Sequence, residues 1–363
     1  MKASRVVALG AAVLVLAGAV VGVGVWRGWL PDPRGWFANP SVSGVSELRL
    51  PEGAVRPLAT GLRAPWGLAF LPDGTALVTE RDTARILSVG ASGQVTEVQR
   101  LAEVRPGGEG GLLGIAVSPS YAQDRWVYVY YTAESDNRIA RLRLGERPEP
   151  ILTGLPSARI HNGGRIAFGP DRMLYVGTGD AGERGQAQDR AALGGKILRV
   201  TPDGQPAPGN PYGDSPVYSY GHRNVQGLAW DGQGRLFAAE FGQNRYDELN
   251  LIQPGGNYGW PVVEGPSGDD RFVAPLATWA TGDASPSGIA VAGDRVYVAC
   301  LRGRRLYRVG LDGGSAQALL VGAYGRLRYV AVAPDGALWV LTSNRDGRGS
   351  PARDDDRILR MTV

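Results

Sequence analysis

Histidine is scarce in this chain. Among 363 residues there are two, His161 in ARIHNGGRIAFGPDRMLYVGTGD and His222 in YSYGHRNVQGLAW, both in polar stretches flanked by glycine. Loops of that kind carry function on rigid scaffolds more often than strands do. An imidazole titrates near pH ~6.5, so it can take a proton from a hydroxyl at neutral pH. A histidine at 161 could equally cap the turn before the GRIAF strand, and His222 reads as a structural hydrogen-bonding residue. Arginine supplies the second chemistry. Lys2 and Lys196 are the only lysines, so nearly all basic groups are planar forks suited to carboxylate or phosphate ligands. In GRLRYVAVAPDG, Arg326 and Arg328 stand two apart, so on a strand they point to one face and can meet one anion. The plainer alternative is a pair of exposed strand arginines.

These residues sit inside a repeat. WGLAFLPDGTALVTER (66–81), LLGIAVSPSYAQDRWVYVYY (112–131) and GRIAFGPDRMLYVGTGD (164–180) share one plan. QGLAWDGQGRLFAAEFG (226–242), SGIAVAGDRVYVACLRG (287–303) and RYVAVAPDGALWVLTSN (328–344) follow it. Each has a short apolar strand, a turn built on Asp-Gly or similar, and an alternating second strand. A third strand follows: ARILSV, NRIARLRL, GKILRV, DELNLI, RRLYRV and DRILRM. Six such units with no helical pattern predict an all-β, six-bladed β-propeller, because each small sheet must cover its faces against neighbours. A β-helix or a pair of sandwiches fits the long period poorly. The segment from Val45 to Leu62 is expected to close the ring against the C-terminal DRILRMTV. Longer intervals at 181–223 and 243–286 are expected to gather around the axis and build the site.

Composition narrows the remainder. The 54 glycines and 25 prolines favour tight turns over long helices. The net charge of +4 includes Lys2, Arg5 and Arg27 beside an N-terminal apolar run, so the body is nearly neutral and no nucleic-acid surface is implied. Cys300 stands alone, which excludes an intramolecular disulfide and fits a buried, inert thiol. Lys2 and Arg5 precede an uncharged run from Val6 to Trp26. Val6 to Leu16 has the length of a signal-peptide core with Ala17-Gly18-Ala19 as a cleavage site, and the whole run could instead anchor in a bilayer. Both readings make the protein exported, periplasmic or otherwise extracytoplasmic. Residues 1–27 are therefore read as signal peptide or membrane anchor, 28–44 as linker and 45–363 as propeller.

The words GEGGLLGIA, HNGGRI, GKILRV, YGHRNVQGLAW, DELNLIQPGGNYGWP and RLR occur in this order. In them the chain resembles the soluble aldose and glucose dehydrogenases that depend on pyrroloquinoline quinone (PQQ), from about residue 55 onward. The resemblance implies that His161 is the catalytic base, and that Arg223, Asn224, Arg326 and Arg328 contact the quinone. Arg302 stands where the family usually has a cofactor-binding lysine. Gly242 and Gln243 match the pair whose backbone carbonyls hold Ca2+ beside PQQ, with Gln where proline is common. Glu248 and Tyr258 match a second, structural calcium site, Tyr258 through a backbone carbonyl. Two positions depart from the pattern. Glu109 replaces a cofactor-site glutamine, which would repel an anionic quinone unless protonated or paired with arginine. Ile160 replaces an Asp of the glucose dehydrogenase branch that could orient the imidazole, leaving that role to another group. The implied reaction oxidises the anomeric hydroxyl of an aldose sugar to a lactone, with electrons passed to an external acceptor (quinone, cytochrome or dye). A calcium-dependent propeller lactonase and a non-enzymatic propeller binding module are the alternatives.

Overall fold

A computed structural model of the chain describes residues 45–362. The expected signal peptide or anchor (1–27) and linker (28–44) lie outside the described residues. Each repeat unit folds as its sequence pattern requires. In the first, the strands Pro65–Phe70 and Ala76–Glu80 are joined by a turn in which Gly74 has φ +86°, and the Asp73 carboxylate accepts the Thr75 N–H at 2.9 Å. The turn at Asp335-Gly336 repeats the device, with Gly336 at φ +82° and Asp335 accepting the Ala337 N–H at 3.1 Å. Asp-Gly is thus placed where a left-handed residue and a short acceptor are both needed.

The strands form six sheets, five of four strands and one of five, as the sequence predicts for a six-bladed propeller. The first strand of each blade faces the axis: Pro65–Phe70, Leu112–Val117, Ile166–Phe168, Val225–Trp230, Pro286–Ala292 and Leu327–Val332. Blades crowd most tightly there. A Cβ on Gly114 would come 2.3 Å from the Gly164 carbonyl of blade three, and one on Gly227 would come 2.4 Å from the Ser287 carbonyl of blade five. Glycine lets neighbouring backbones meet at those points. Farther out the blades bury apolar side chains between them, such as Leu77, Ile86, Leu112 and Val129 between blades one and two. Cys300 is buried between blades four and five, where burial raises its thiol well above the usual range, consistent with the inert thiol expected.

Ring closure follows the expectation for the segment 45–62. Val55–Ala59 pairs antiparallel with Ile358–Met361 as the outer strand of blade six, Val55 opposite Met361. Its upstream part does something further: Ser46–Glu47 adds in parallel to Gln317–Leu319 and makes blade five five-stranded.

The axis has two unlike ends. At one lies a polar pocket lined by the beginnings of the inner strands, including Trp66, Gln226 and Arg328. At the other, a cavity of about 380 Å³ is lined by strand ends such as Phe70, Val117, Phe168, Trp230, Val291 and Val332. Between them sits Arg165, 1% exposed, with its guanidinium 4.2 Å from the Trp66 ring and 4.1 Å from the Tyr329 ring.

Candidate active site

His161 stands at the polar end, in the loop leading into blade three, with a left-handed backbone (φ +55°). Few non-glycine residues adopt that conformation, and its energetic cost marks a constrained position. The main-chain N–H of His161 donates to Glu109 Oε2 at 2.9 Å. Its ring has a partner on each side. Nδ1 lies 2.6 Å from Asp180 Oδ1, and Nε2 lies 2.8 Å from Arg223 Nη2. A guanidinium only donates, so Nε2 is the bare, accepting nitrogen and Nδ1 carries the proton toward Asp180. Asp180 is well held, accepting the Gly182 N–H at 2.8 Å on Oδ1 and the Trp260 indole N–H at 2.8 Å on Oδ2. Burial alone would raise its pKa, but the bonds from His161, Gly182 and Trp260 outweigh it and hold the carboxyl below its ordinary range. Asp180 thus takes the orienting role that Ile160 leaves open. Sequence reasoning did not name it, although the signal was present: a carboxylate closing GTGD, at the end of a strand in the unit that carries His161.

The rest of the polar pocket is rich in arginine. Arg326 and Arg328 converge as their spacing predicts, both meeting Asp346, at 2.9 and 3.6 Å. Arg328 is fully buried, and burial pushes its pKa down to about 9 against the pull of Asp346. Glu109 also lies here and is paired with Arg348 at 2.9 Å, which meets the condition a carboxylate needs beside an anion. Four guanidiniums line the pocket (Arg81, Arg326, Arg328, Arg348) against two carboxylates (Glu109, Asp346). Asn224 Nδ2 and Arg328 Nε are buried donors with no acceptor among the described residues. Asn224 spends its oxygen on the Gly163 N–H at 2.9 Å, which fixes the amide with its donor end free. Arg223 reaches Gln243 Oε1 at 2.7 Å and the Phe241 carbonyl at 3.2 Å, and burial lowers its pKa. Arg81, Asp346 and Arg348 were not singled out in the sequence, because they lie on two segments far apart in the chain, one after Ala76–Glu80 and one after Leu338–Thr342, whose convergence only the ring creates.

Arg302 is not brought into this group. It is exposed and makes no hydrogen bond or ion pair among the described residues, whereas its neighbour Leu301 lines the pocket. The strand ends at Cys300, and in the turn that follows the 302 side chain is left exposed.

The calcium positions divide in two. Gly242 and Gln243 form a turn beside the pocket. The Gly242 N–H goes to Asp247 Oδ1 at 2.9 Å and the Gln243 N–H to Glu264 Oε1 at 2.7 Å, while neither carbonyl accepts a hydrogen bond among the described residues. Glu248 and Tyr258 lie away from His161, in a buried cluster with Glu240 and His222. Glu248 accepts from Asn250 Nδ2 at 3.1 Å and the Gly265 N–H at 2.8 Å. Burial, then Glu240, pushes its carboxyl far above the usual range. The Tyr258 hydroxyl donates to the Leu251 carbonyl at 2.8 Å, and its ring stacks on His222. Among the described residues no three His, Cys, Asp or Glu side chains are grouped to hold a metal, so a cation beside the pocket would rest on carbonyl oxygens. The long interval 243–286 does reach the site, delivering Trp260 to Asp180 and Glu264 to the 243–246 turn.

A family model described as glucose/sorbosone dehydrogenase matches residues 62–359. The chain belongs to the glucose/sorbosone dehydrogenase family. The PQQ-bound aldose sugar dehydrogenase from Streptomyces coelicolor is 57% identical and superposes with a TM-score of 0.82, over 84% of this chain and 97% of that one. The aldose sugar dehydrogenase YliI of Escherichia coli (strain K12) is 28% identical over 81% of this chain and 91% of its own length. Quinoprotein glucose dehydrogenase B of Acinetobacter calcoaceticus is 33% identical over 65% of this chain and 59% of its own. The resemblance read from the sequence words is therefore borne out, and the chain is a sugar-dehydrogenase oxidoreductase of the quinoprotein kind.

Proposed function

We propose that the enzyme oxidises aldoses at the anomeric hydroxyl to lactones, using PQQ with Ca2+ beside it and passing electrons to an external acceptor. The observation that carries this reading is a bare His161 Nε2, with the His161 backbone bonded to Glu109 of a cationic pocket, together with two buried, unpartnered donors, Asn224 Nδ2 and Arg328 Nε. PQQ bears carboxylates and ring carbonyls, so the donor set fits it: Arg326 and Arg328 for carboxylate, Asn224 and Arg223 for carbonyl oxygen. The Gly242 and Gln243 carbonyls are hard oxygen ligands suited to Ca2+. When bound, this cofactor pair supplies the hydride acceptor and the Lewis acid. The chain supplies the proton chemistry. A sugar hydroxyl replaces Arg223 as the donor to Nε2, and His161 takes its proton. Asp180 stabilises the resulting imidazolium through Nδ1, and Glu109 holds the His161 backbone in place. A lactonase has no use for a surplus of buried guanidiniums, and a binding module has no use for an oriented, bare imidazole nitrogen. An exported enzyme, periplasmic or anchored through residues 1–27, completes the reading.

The test is reconstitution. Purified apoprotein is given PQQ, Ca2+, both or neither, and dye reduction is followed with a panel of aldoses. Turnover that needs both supports the proposal. Lactone hydrolysis without PQQ, or full activity in rigorously calcium-free protein given PQQ alone, overturns the corresponding part.

A further inference from the structure

Trp260 belongs to the catalytic loop system without reaching the polar pocket. Its indole N–H is the partner of Asp180 Oδ2 at 2.8 Å, while Oδ1 serves His161 Nδ1 and Gly182. Without it, one oxygen of a buried carboxylate would have no donor, and the carboxylate plane would be free to turn. Its main chain is pinned on both sides, the N–H to the Gly221 carbonyl at 2.9 Å and the carbonyl by Gln188 Nε2 at 2.8 Å. The same ring lies against Arg223, whose guanidinium carbon is 5.5 Å from its centroid and whose Nη2 bonds His161 Nε2. One side chain therefore bears on both ends of the imidazole, through a carboxylate on one side and a guanidinium on the other.

We propose that Trp260 is a positioning residue that fixes the orientation of His161 through Asp180. The physical reason is directional. An indole offers a single N–H in the ring plane, so it selects one setting of the carboxylate. That setting aims Oδ1 at Nδ1, keeps the proton there and leaves Nε2 bare toward the sugar. A carboxylate lacking that donor can turn, and it then holds the Nδ1 proton and the imidazole plane less firmly. The activity part of this inference rests on the proposed role of His161 as base; the orientation part does not.

Two histidines make the test direct. Ring 15N spectra of apoprotein show four imidazole nitrogens, and His222, bonded to Glu240 and Ser219 on its two nitrogens, serves as an internal standard. Two variants are compared, Trp260→Phe and the isosteric replacement of Trp260 by benzothienylalanine, which keeps the bicyclic shape and deletes only the N–H. The expected result in the isostere is a shifted Nδ1 resonance and a faster-exchanging Nδ1 proton at His161, as its bond to Asp180 slackens, with His222 unchanged. Holoenzyme reconstituted with PQQ and Ca2+ should then show kcat lower by about 10- to 100-fold, the equivalent of one lost hydrogen bond to a charged group. PQQ affinity should stay within about threefold, because the ring facing Arg223 is retained. His161 nitrogens identical to wild type in the isostere overturn the proposal whatever the activity. If wild-type protein fails to oxidise aldoses with PQQ, the functional reading falls while the spectra still decide the role of Trp260.

Discussion

The two histidines of this chain are built alike on one side and differently on the other. His161 Nδ1 meets Asp180 at 2.6 Å and His222 Nδ1 meets Glu240 at 2.7 Å, so each has an orienting carboxylate. At the far nitrogen they part. His222 Nε2 is closed by Ser219 Oγ at 2.8 Å, its ring is fully buried and stacks on Tyr258, and the cluster around it has no room for a substrate. His161 Nε2 meets only the Arg223 guanidinium, which also bonds Gln243 and the Phe241 carbonyl. On the proposed function, a histidine–carboxylate pair is therefore a supporting device in one place and a reactive one in the other. What faces the second nitrogen decides which.

The largest effect should come from His161→Gln, which removes the base and leaves the arginines. Turnover should fall by about 10²–10⁴-fold with PQQ binding intact, and a variant keeping more than about a tenth of wild-type kcat would remove the contrast with His222. Asp180→Asn comes next, with an expected loss of about a hundredfold in kcat, since an amide can hold the wrong tautomer. Its stability profile should also change. The Asp180 carboxyl is depressed in the fold, so its contribution is present above the ordinary carboxylate range and lost as pH falls through the lower folded value. Chemical denaturation of Asp180→Asn should therefore show a flatter acid limb below about pH 4.

Arg326→Ala and Arg328→Ala should each weaken PQQ binding by about 10- to 100-fold in titrations of apoprotein, with little change in sugar KM. Unchanged affinity in both would return these arginines to a purely structural pairing with Asp346. His222→Gln tests the other side of the comparison. It should lower the melting temperature by removing a buried bond that costs about 1–3 kcal/mol to leave unmade, while kcat per folded molecule stays within about threefold. Arg302→Ala should be the mildest, with PQQ affinity changed by less than about twofold, as expected of an exposed side chain outside the pocket. A tenfold loss there would place the 302 loop in contact with the cofactor after all.

The sequence made the propeller legible because one unit was written six times, each broken at the same place by a connection that in three of them contains Asp-Gly. His161, Asn224, Arg326 and Arg328 were legible through local spacing or motif words. Asp180 and Trp260 were harder, since their roles come from an 80-residue separation closed by a single hydrogen bond. Arg348 and Asp346 were hidden for a similar reason: they matter only because blade six returns beside blade one. Arg302 stands apart from this group for the opposite reason. Its position in the motif suggested the pocket, but the loop turns the side chain to solvent.

Arg165 gives the molecule a direction of traffic. Wedged between Trp66 and Tyr329, with Nε on the Gln226 carbonyl at 2.7 Å, it stops the axis like a cork, so the polar chamber has no back exit. On the proposed reaction, sugar, lactone and electron acceptor would share one doorway and take turns in it. The acceptor would then approach only after the lactone had gone, a two-step, ping-pong order of turnover.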